Sequence, residues 1–153
     1  MKNQINNTYQ ESLSEEAANI LGEARMVIPG VLAIFGFQLV SVFNSGFSEK
    51  LSRSQQFLHL GSIILLAISM ALLMAPAAFH RRSRPDILSK GWVIISSQFL
   101  AWGMNFFMVS VALETYLISS ALKLEPEVCL SIAGAIFLIF VILWEICPRF
   151  YVK

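Results

Sequence analysis

The chain has 153 residues and a formal net charge of +1, with 56% hydrophobic and 14% charged residues. Soluble domains carry roughly 25% charged residues, so the composition excludes an ordinary soluble globule, and the near-zero net charge offers no global field for nucleic acid. A chain of this length has room for one small helical bundle and is expected to hold no separate soluble domain.

Residues 1–8 are polar and are expected to be disordered. Ser12-Leu13-Ser14-Glu15 reads as a capping box with Ser12 as N-cap. Leu13, Ala17, Ile20, Leu21, Ala24 and Ile28 then follow the helical period. Residues 9–25 are therefore predicted to form a short amphipathic juxtamembrane helix. Its polar side holds Glu11, Glu15 and Glu16, which makes it a poor binder of anionic lipid. Four glutamates and no apolar h-region in the first 25 residues argue against a cleaved signal peptide.

Residues 26–153 are predicted to be a four-helix transmembrane domain with spans at about 26–43, 57–79, 91–113 and 128–147. The physical basis is length, because crossing the hydrocarbon core takes about 20 apolar residues in a helix. The second and third spans each give 23 residues without a formal charge. The first gives 18, near the lower limit, so a re-entrant segment is the alternative there. Pro29-Gly30 reads as the junction between the surface helix and span one. In the loop 44–56, Phe47 and Leu51 are expected to dip into the membrane interface.

Pro85 suits the first turn of the third helix, with Ser83 or Arg84 before it. A single helix from Pro85 to Leu122 would be about 57 Å long, so part of it is expected to lie along the surface, project outside, or break. Glu125-Pro126-Glu127 interrupts the chain before span four. Ala67, Ala71, Ala75 and Ala78 form a small-residue stripe on span two, as Ser131 and Ala135 do on span four. Such stripes predict close helix packing.

The basic cluster His80-Arg81-Arg82-Ser83-Arg84 marks a cytoplasmic loop. With the N-terminus inside, the inner segments hold Lys2, Arg25, Arg81, Arg82, Arg84, Lys90, Arg149 and Lys153. The outer loops hold Lys50, Arg53 and Lys123, which completes the 11 Lys and Arg residues. Trp92, Tyr116, Trp144 and Tyr151 fall at expected interfacial depths. The fold class is all-α: a four-transmembrane-helix bundle with a short N-terminal amphipathic helix and both termini cytoplasmic.

Polar groups inside the spans are costly, and they are the best pointers to function. Glu114, at the outer boundary of span three, and Glu145, at the inner boundary of span four, are expected on opposite sides of the membrane. Local pairing ranks first for both: Glu114 with Lys123 or Arg53, Glu145 with Arg25, Arg81 or Arg149. Gln98 and Asn105 are seven residues apart and share a helix face. Gln38 is expected near the depth of Asn105 and to hydrogen-bond it. Gln38, Gln98, Asn105 and Glu114 are thus the candidate intramembrane polar contacts or ion path, with Ser41 and Ser69 as additional lining. His59 lies near the outer end of span two and His80 at its inner end, and no HExxH or CxxC motif is present. No metal, cofactor or catalytic residue is expected.

Glu23-x-Arg25, Pro29-Gly30, Phe35-x-Phe37-Gln38 leading towards Phe43, and Ala75-Pro76-Ala77-Ala78-Phe79-His80-Arg81 together resemble a family of uncharacterised small bacterial integral membrane proteins with four predicted helices. Some members bear an automatic label of sodium:proton antiporter. The resemblance covers about the first 60% of the chain and is most specific at the end of span two. It implies a four-helix topology and a bacterial inner membrane, and it transfers no catalytic residue. Its signature positions cluster at the inner face, Gln38 excepted. Glu23, Arg25, His80, Arg81 and Glu145 are accordingly expected to form a cytoplasmic-face ion network, either pinning helix ends or acting as a proton-sensitive gate.

The favoured functional reading is a non-catalytic multi-pass membrane component, with an accessory, assembly or sensing role. An oligomeric ion or proton-coupled transporter or channel is the alternative, and a lipid-modifying enzyme built on His80 and the arginines ranks last. The expected partners are the lipid bilayer, including anionic headgroups at the inner face, and a homo-oligomer or larger membrane complex.

Overall fold

The computed structural model describes residues 2–82 and 89–151, with side chains for 11–82 and 89–150. Six α-helices follow one another: α1 (Lys2–Ser41), α2 (Gly46–Lys50), α3 (Arg53–Arg82), α4 (Lys90–Ala121), α5 (Pro126–Val141) and α6 (Cys147–Tyr151). A π-helical turn, Ile142–Ile146, joins the last two. Among the described residues there is no strand. Four segments are long and apolar enough to cross a membrane: Glu11–Ser41, Arg53–Arg82, Lys90–Ala121 and Pro126–Phe150. This is the make-up of a multi-pass membrane protein.

The helices are longer than the apolar runs within them. α1 continues unbroken through Ser12 and Pro29. Ser12 therefore does not cap a helix, and Pro29 neither starts nor ends one. Proline withdraws the N–H that would reach the carbonyl four residues back, at Arg25, and membrane helices tolerate that loss. Pro76 does the same inside α3. The third long helix also stays whole: α4 runs 32 residues from Lys90 without a break, about 48 Å at helical rise. The expected start at Pro85, with Ser83 or Arg84 before it, lies outside the described residues, as do Met1 and Lys153.

Helix ends are set by local chemistry. Ser52 and Gln55 form a capping box at the start of α3: the Ser52 N–H donates to Gln55 Oε1 at 2.8 Å, and the Gln55 N–H donates to Ser52 Oγ at 3.4 Å. At the end of α4, Lys123 adopts a left-handed backbone with φ 61°. The Lys123 N–H reaches the Ser120 carbonyl at 2.9 Å and the Leu124 N–H reaches that of Ser119 at 3.4 Å. These are the two bonds of a Schellman motif, built here on lysine instead of the usual glycine. Pro126 then opens α5 at its first turn.

Two compact units can be described, each by itself. The first comprises Met1–Ile34 and Ile68–Asn105. Its buried side chains are Leu13, Ala17, Ile20, Ala24 and Val31 from α1, Ser69, Leu73 and Pro76 from α3, and Ser96 and Leu100 from α4. Spacings of three, four and seven are those of knobs-into-holes helix packing. Gly103 permits the closest approach: a methyl group placed there would meet Leu73 Cγ at 2.9 Å and the Ser69 carbonyl oxygen at 3.2 Å. The Ser69 hydroxyl donates to the Gly103 carbonyl at 2.7 Å. Phe79 and Phe99 stack with ring centroids 5.6 Å apart.

The second unit comprises Phe35–Ala67 and Phe106–Lys153. Its buried set mixes Leu51, Leu66, Met108, Leu117, Cys129 and Ala133 with the polar Gln38, His59, Ser62, Ser110 and Ser119. Phe107, Phe140 and Trp144 form an aromatic cluster, with Phe140 and Trp144 centroids 4.7 Å apart. The π turn carries Trp144 into that cluster by inserting a residue into the helical register.

Which small residues pack differs from expectation. Ala71 and Ala78 are exposed and Ala67 and Ala75 are half-buried, whereas Ser62, Leu66, Ser69 and Leu73 line the buried face of α3. On α5, Cys129 and Ala133 are buried, and Ser131 and Ala135 are exposed. Seryl hydroxyls can bond across to a neighbouring helix, so serine secures the close face where alanine offers shape alone. Leu51 is buried and does not face the membrane interface.

Candidate functional site

The second unit holds a polar cluster on apolar helices. It is built in layers where α3 and α4 run antiparallel. In the first layer Ser62 and Ser110 exchange bonds: the Ser110 hydroxyl donates to the Ser62 carbonyl at 3.0 Å, and the Ser62 hydroxyl donates to the Ser110 carbonyl at 3.3 Å. The two hydroxyl oxygens also lie 3.0 Å apart, close enough for either to donate to the other. Gln38 Nε2 on α1 supplies the donor, to Ser62 Oγ at 2.9 Å and to Ser110 Oγ at 3.4 Å. Gln38 Oε1 is then buried without a donor, and an internal water is the usual resolution of such an orphan.

The next layer holds the titratable pair. His59 is 4% exposed, and its Nδ1 lies 2.8 Å from Glu114 Oε1. The Glu114 side chain is 15% exposed. On the other side of the ring, His59 Nε2 lies 3.1 Å from the Gln38 carbonyl oxygen and 3.1 Å from Ser41 Oγ. The Ser41 hydroxyl donates to the same carbonyl at 2.7 Å. The Phe47 ring of α2 covers the imidazole, 5.1 Å between centroids. Phe47 is thus a cover for His59, where the sequence suggested a residue dipping into the membrane. A third layer joins Gln55 Nε2 to Ser120 Oγ, so the residue that caps α3 also ties it to α4.

Proton counting follows from the acceptors. A carbonyl oxygen only accepts, so Nε2 must carry a proton to bond Gln38. A carboxylate only accepts, so a proton must also lie between Nδ1 and Oε1. Both contacts are satisfied when the pair holds two protons, as imidazolium and carboxylate or as neutral imidazole and carboxylic acid. Removal of one proton leaves a lone pair facing an oxygen lone pair at one of the two contacts. The available relief is rotation of the Ser41 hydroxyl from the Gln38 carbonyl to Nε2.

A small cavity opens beside the pair. It measures about 120 Å³ and is lined by Ser41, Phe47, Leu51, His59, Glu114 and Leu117, among others. Among the described residues, Glu114 and His59 are the ionisable groups on its wall, and a neighbouring cavity brings Lys50 beside Ser41 and Phe47.

Of the residues singled out in the sequence, Gln38 and Glu114 converge here. Gln38 bonds Ser62 and Ser110, where Asn105 was expected. Glu114 pairs with His59, where Lys123 or Arg53 was expected. Arg53 instead lies over the Phe57 ring at 5.5 Å, and Lys123 forms the α4 cap. Asn105 is half-buried and Gln98 exposed, both in the first unit. Of the expected ion network, Glu145 pairs with Arg149 one helical turn away, at 3.3 Å. Arg25, His80 and Arg81 share the wall of one cavity in the first unit. Glu23 is exposed, and no ion pair among the described residues joins it to them. The sequence reading noted His59 near the outer end of span two but gave it no partner, and it assigned neither Ser62 nor Ser110 to the site. The available signal was depth, since His59 and Glu114 both fall at outer span ends.

No curated protein and no solved structure matches the chain. Residues 6–148 match the description of a family of unknown function, and the chain with its four apolar helices belongs to that family, DUF6328.

Proposed function

We propose that this protein is a non-catalytic, proton-responsive membrane component whose titrating element is the His59–Glu114 pair. The observation that carries the reading is the imidazole buried to 4% exposure with both ring nitrogens engaged by acceptors. Ionisable groups at such positions are expensive and point to function. A buried ion pair is also weak evidence for stability, because apolar replacements of similar volume are often as stable. Loss of one proton from the pair forces Ser41 and the Gln38 carbonyl to re-partner. The end of α1 is thereby coupled to the protonation of residues on α3 and α4.

The Lys and Arg distribution supports both termini in the cytoplasm, which places this pair towards the outer face. The family resemblance supports a bacterial inner membrane. A sensing or accessory role fits the short loops between helices.

A second reading, an oligomeric ion or proton-coupled transporter, draws on the cavity that opens beside Glu114. Full-length protein in liposomes separates the two. The sensing role predicts no proton, sodium or potassium flux under imposed gradients. It also predicts that amide exchange at residues 38–62 responds to pH, and that this response disappears in Glu114→Gln. Sustained flux abolished by Glu114→Gln would instead establish the transporter.

A further inference from the structure

A second site stands in the first unit, on residues the proton pair does not use. Arg25 of α1 and His80 and Arg81 of α3 line one cavity of about 190 Å³ together with Leu21, Ala24, Ile28 and Ala77. Three basic groups from two helices meet over an apolar wall. Neither ion pair among the described residues involves any of them. Beside them, the Trp92 and His80 rings meet in a T-shaped arrangement, 5.7 Å between centroids, and the Trp92 indole N–H is buried without an acceptor.

We propose that this cavity binds the phosphate group of an anionic membrane phospholipid. The chemistry is that of an oxyanion: guanidinium groups present forked N–H donors that match phosphate oxygens, and the imidazole adds another donor. Ligand pockets for drug-sized molecules run to roughly 300–1,000 Å³, so this cavity suits a phosphate and its ester linkage and is too small for a nucleotide. Position selects lipid over a soluble anion. Arg25 immediately precedes the apolar run that begins at Met26, and His80-Arg81 immediately follow the run that ends at Phe79. Both boundaries lie where apolar chain gives way to headgroups. Leu21, Ala24, Ile28 and Ala77 extend the site as a surface for the glycerol and upper acyl carbons.

A simpler account would assign the basic residues to the C-terminal dipole of α3, which ends at Arg82. That accounts for His80 and Arg81. It does not account for Arg25, which lies within α1, far from either terminus, and faces the same cavity.

The test uses delipidated full-length protein in a neutral detergent, titrated with short-chain phosphatidylglycerol, short-chain phosphatidylcholine and inorganic phosphate, with binding read by Trp fluorescence. Phosphatidylglycerol is expected to bind about tenfold or more tightly than phosphatidylcholine, with inorganic phosphate weaker than both. Arg25→Gln and Arg81→Gln are each expected to cut phosphatidylglycerol affinity about tenfold, and Arg149→Gln to leave it unchanged. Helix content by circular dichroism confirms folding. Should Arg25→Gln fail to fold, Arg25→Lys keeps the charge, loses the fork and is expected to weaken binding several-fold. Equal affinity for the two lipids would overturn the proposal, as would wild-type affinity in the arginine variants. Inorganic phosphate binding as tightly as phosphatidylglycerol would overturn the lipid assignment and leave a soluble phosphate site.

Discussion

Glu114 and His59, 55 residues apart in the chain, meet at 2.8 Å as the ionisable pair of a polar cluster otherwise made of neutral groups. The pair joins α3 to α4, and the Gln38 carbonyl on the far side of the imidazole extends the link to α1. On the proposed reading, one proton more or less on this pair alters hydrogen bonds on three helices.

The pair is expected to behave as a buried, mutually dependent unit. Glu114→Ala and His59→Ala should each destabilise by about 2–4 kcal/mol, because each strands a buried partner. Glu114→Gln keeps an acceptor for Nδ1 and should cost less. The double replacement His59→Leu/Glu114→Leu should recover most of the stability while losing the pH response. Denaturant titration in mixed micelles reads the first effect and hydrogen exchange at two pH values the second.

Gly103→Ala should destabilise by about 1–3 kcal/mol through overpacking. The added methyl meets the Leu73 side chain and the backbone oxygen of Ser69, and a backbone oxygen cannot step aside as a side chain can. Leu73→Ala alone should cost about 2–5 kcal/mol by leaving a cavity. In the same background it removes the first clash, so the double variant should lose less than the sum of the two single losses. The comparison is the unfolding midpoint of the single and double variants.

The serine layer should be worth less than its geometry suggests. Ser110→Ala removes a donor to the Ser62 carbonyl and an acceptor for Gln38. Intramembrane hydrogen bonds of this kind average about 0.6 kcal/mol, so a loss near 1 kcal/mol is expected. Ser110→Leu must also displace Gln38 and Ser62, and should cost several-fold more. The same unfolding assay ranks the two.

Lys123→Gly should stabilise. Lys123 holds the left-handed position of the α4 cap at φ 61°, a conformation that costs an L-residue with a side chain about 1 kcal/mol more than glycine. A rise of about 0.5–1 kcal/mol in unfolding free energy is expected, without change in the pH response. Lys123→Val, which adds a β-branched side chain at the same φ, should lower stability.

Much of the secondary structure was legible because it depends on local composition. Runs such as Phe57–Phe79 and Gly91–Leu113 leave no alternative to helix in a membrane, where every backbone group must be satisfied within its own segment. The capping box at Ser52 and Gln55 has the same Ser-x-x-Gln spacing that signals a helix start, yet it emerged only from the structure. Helix limits were less legible. Ser12 looked like a cap because Ser-x-x-Glu is a capping pattern, but a competent cap does not stop a helix that can continue upstream.

The partners within the site were not legible. The sequence placed Glu114 and His59 at similar depth, but only the rotation of α3 against α4 decided that the imidazole, and not Lys123 or Arg53, would reach the carboxylate. Gln38 was recognised as an intramembrane amide, and its preference for the serines over Asn105 depended on which face of α4 meets α1. Alanine stripes drew attention on span two because size is visible in sequence, whereas the serine face was chosen by cross-helix bonds that exist only once the helices meet. The sequence alone therefore determined that the chain forms four apolar helices carrying a few polar groups, because solvent and backbone hydrogen bonding decide that segment by segment. Tertiary structure alone decided which of those groups pair, because pairing depends on helix rotation and register, and these are set by contacts between residues far apart in the chain.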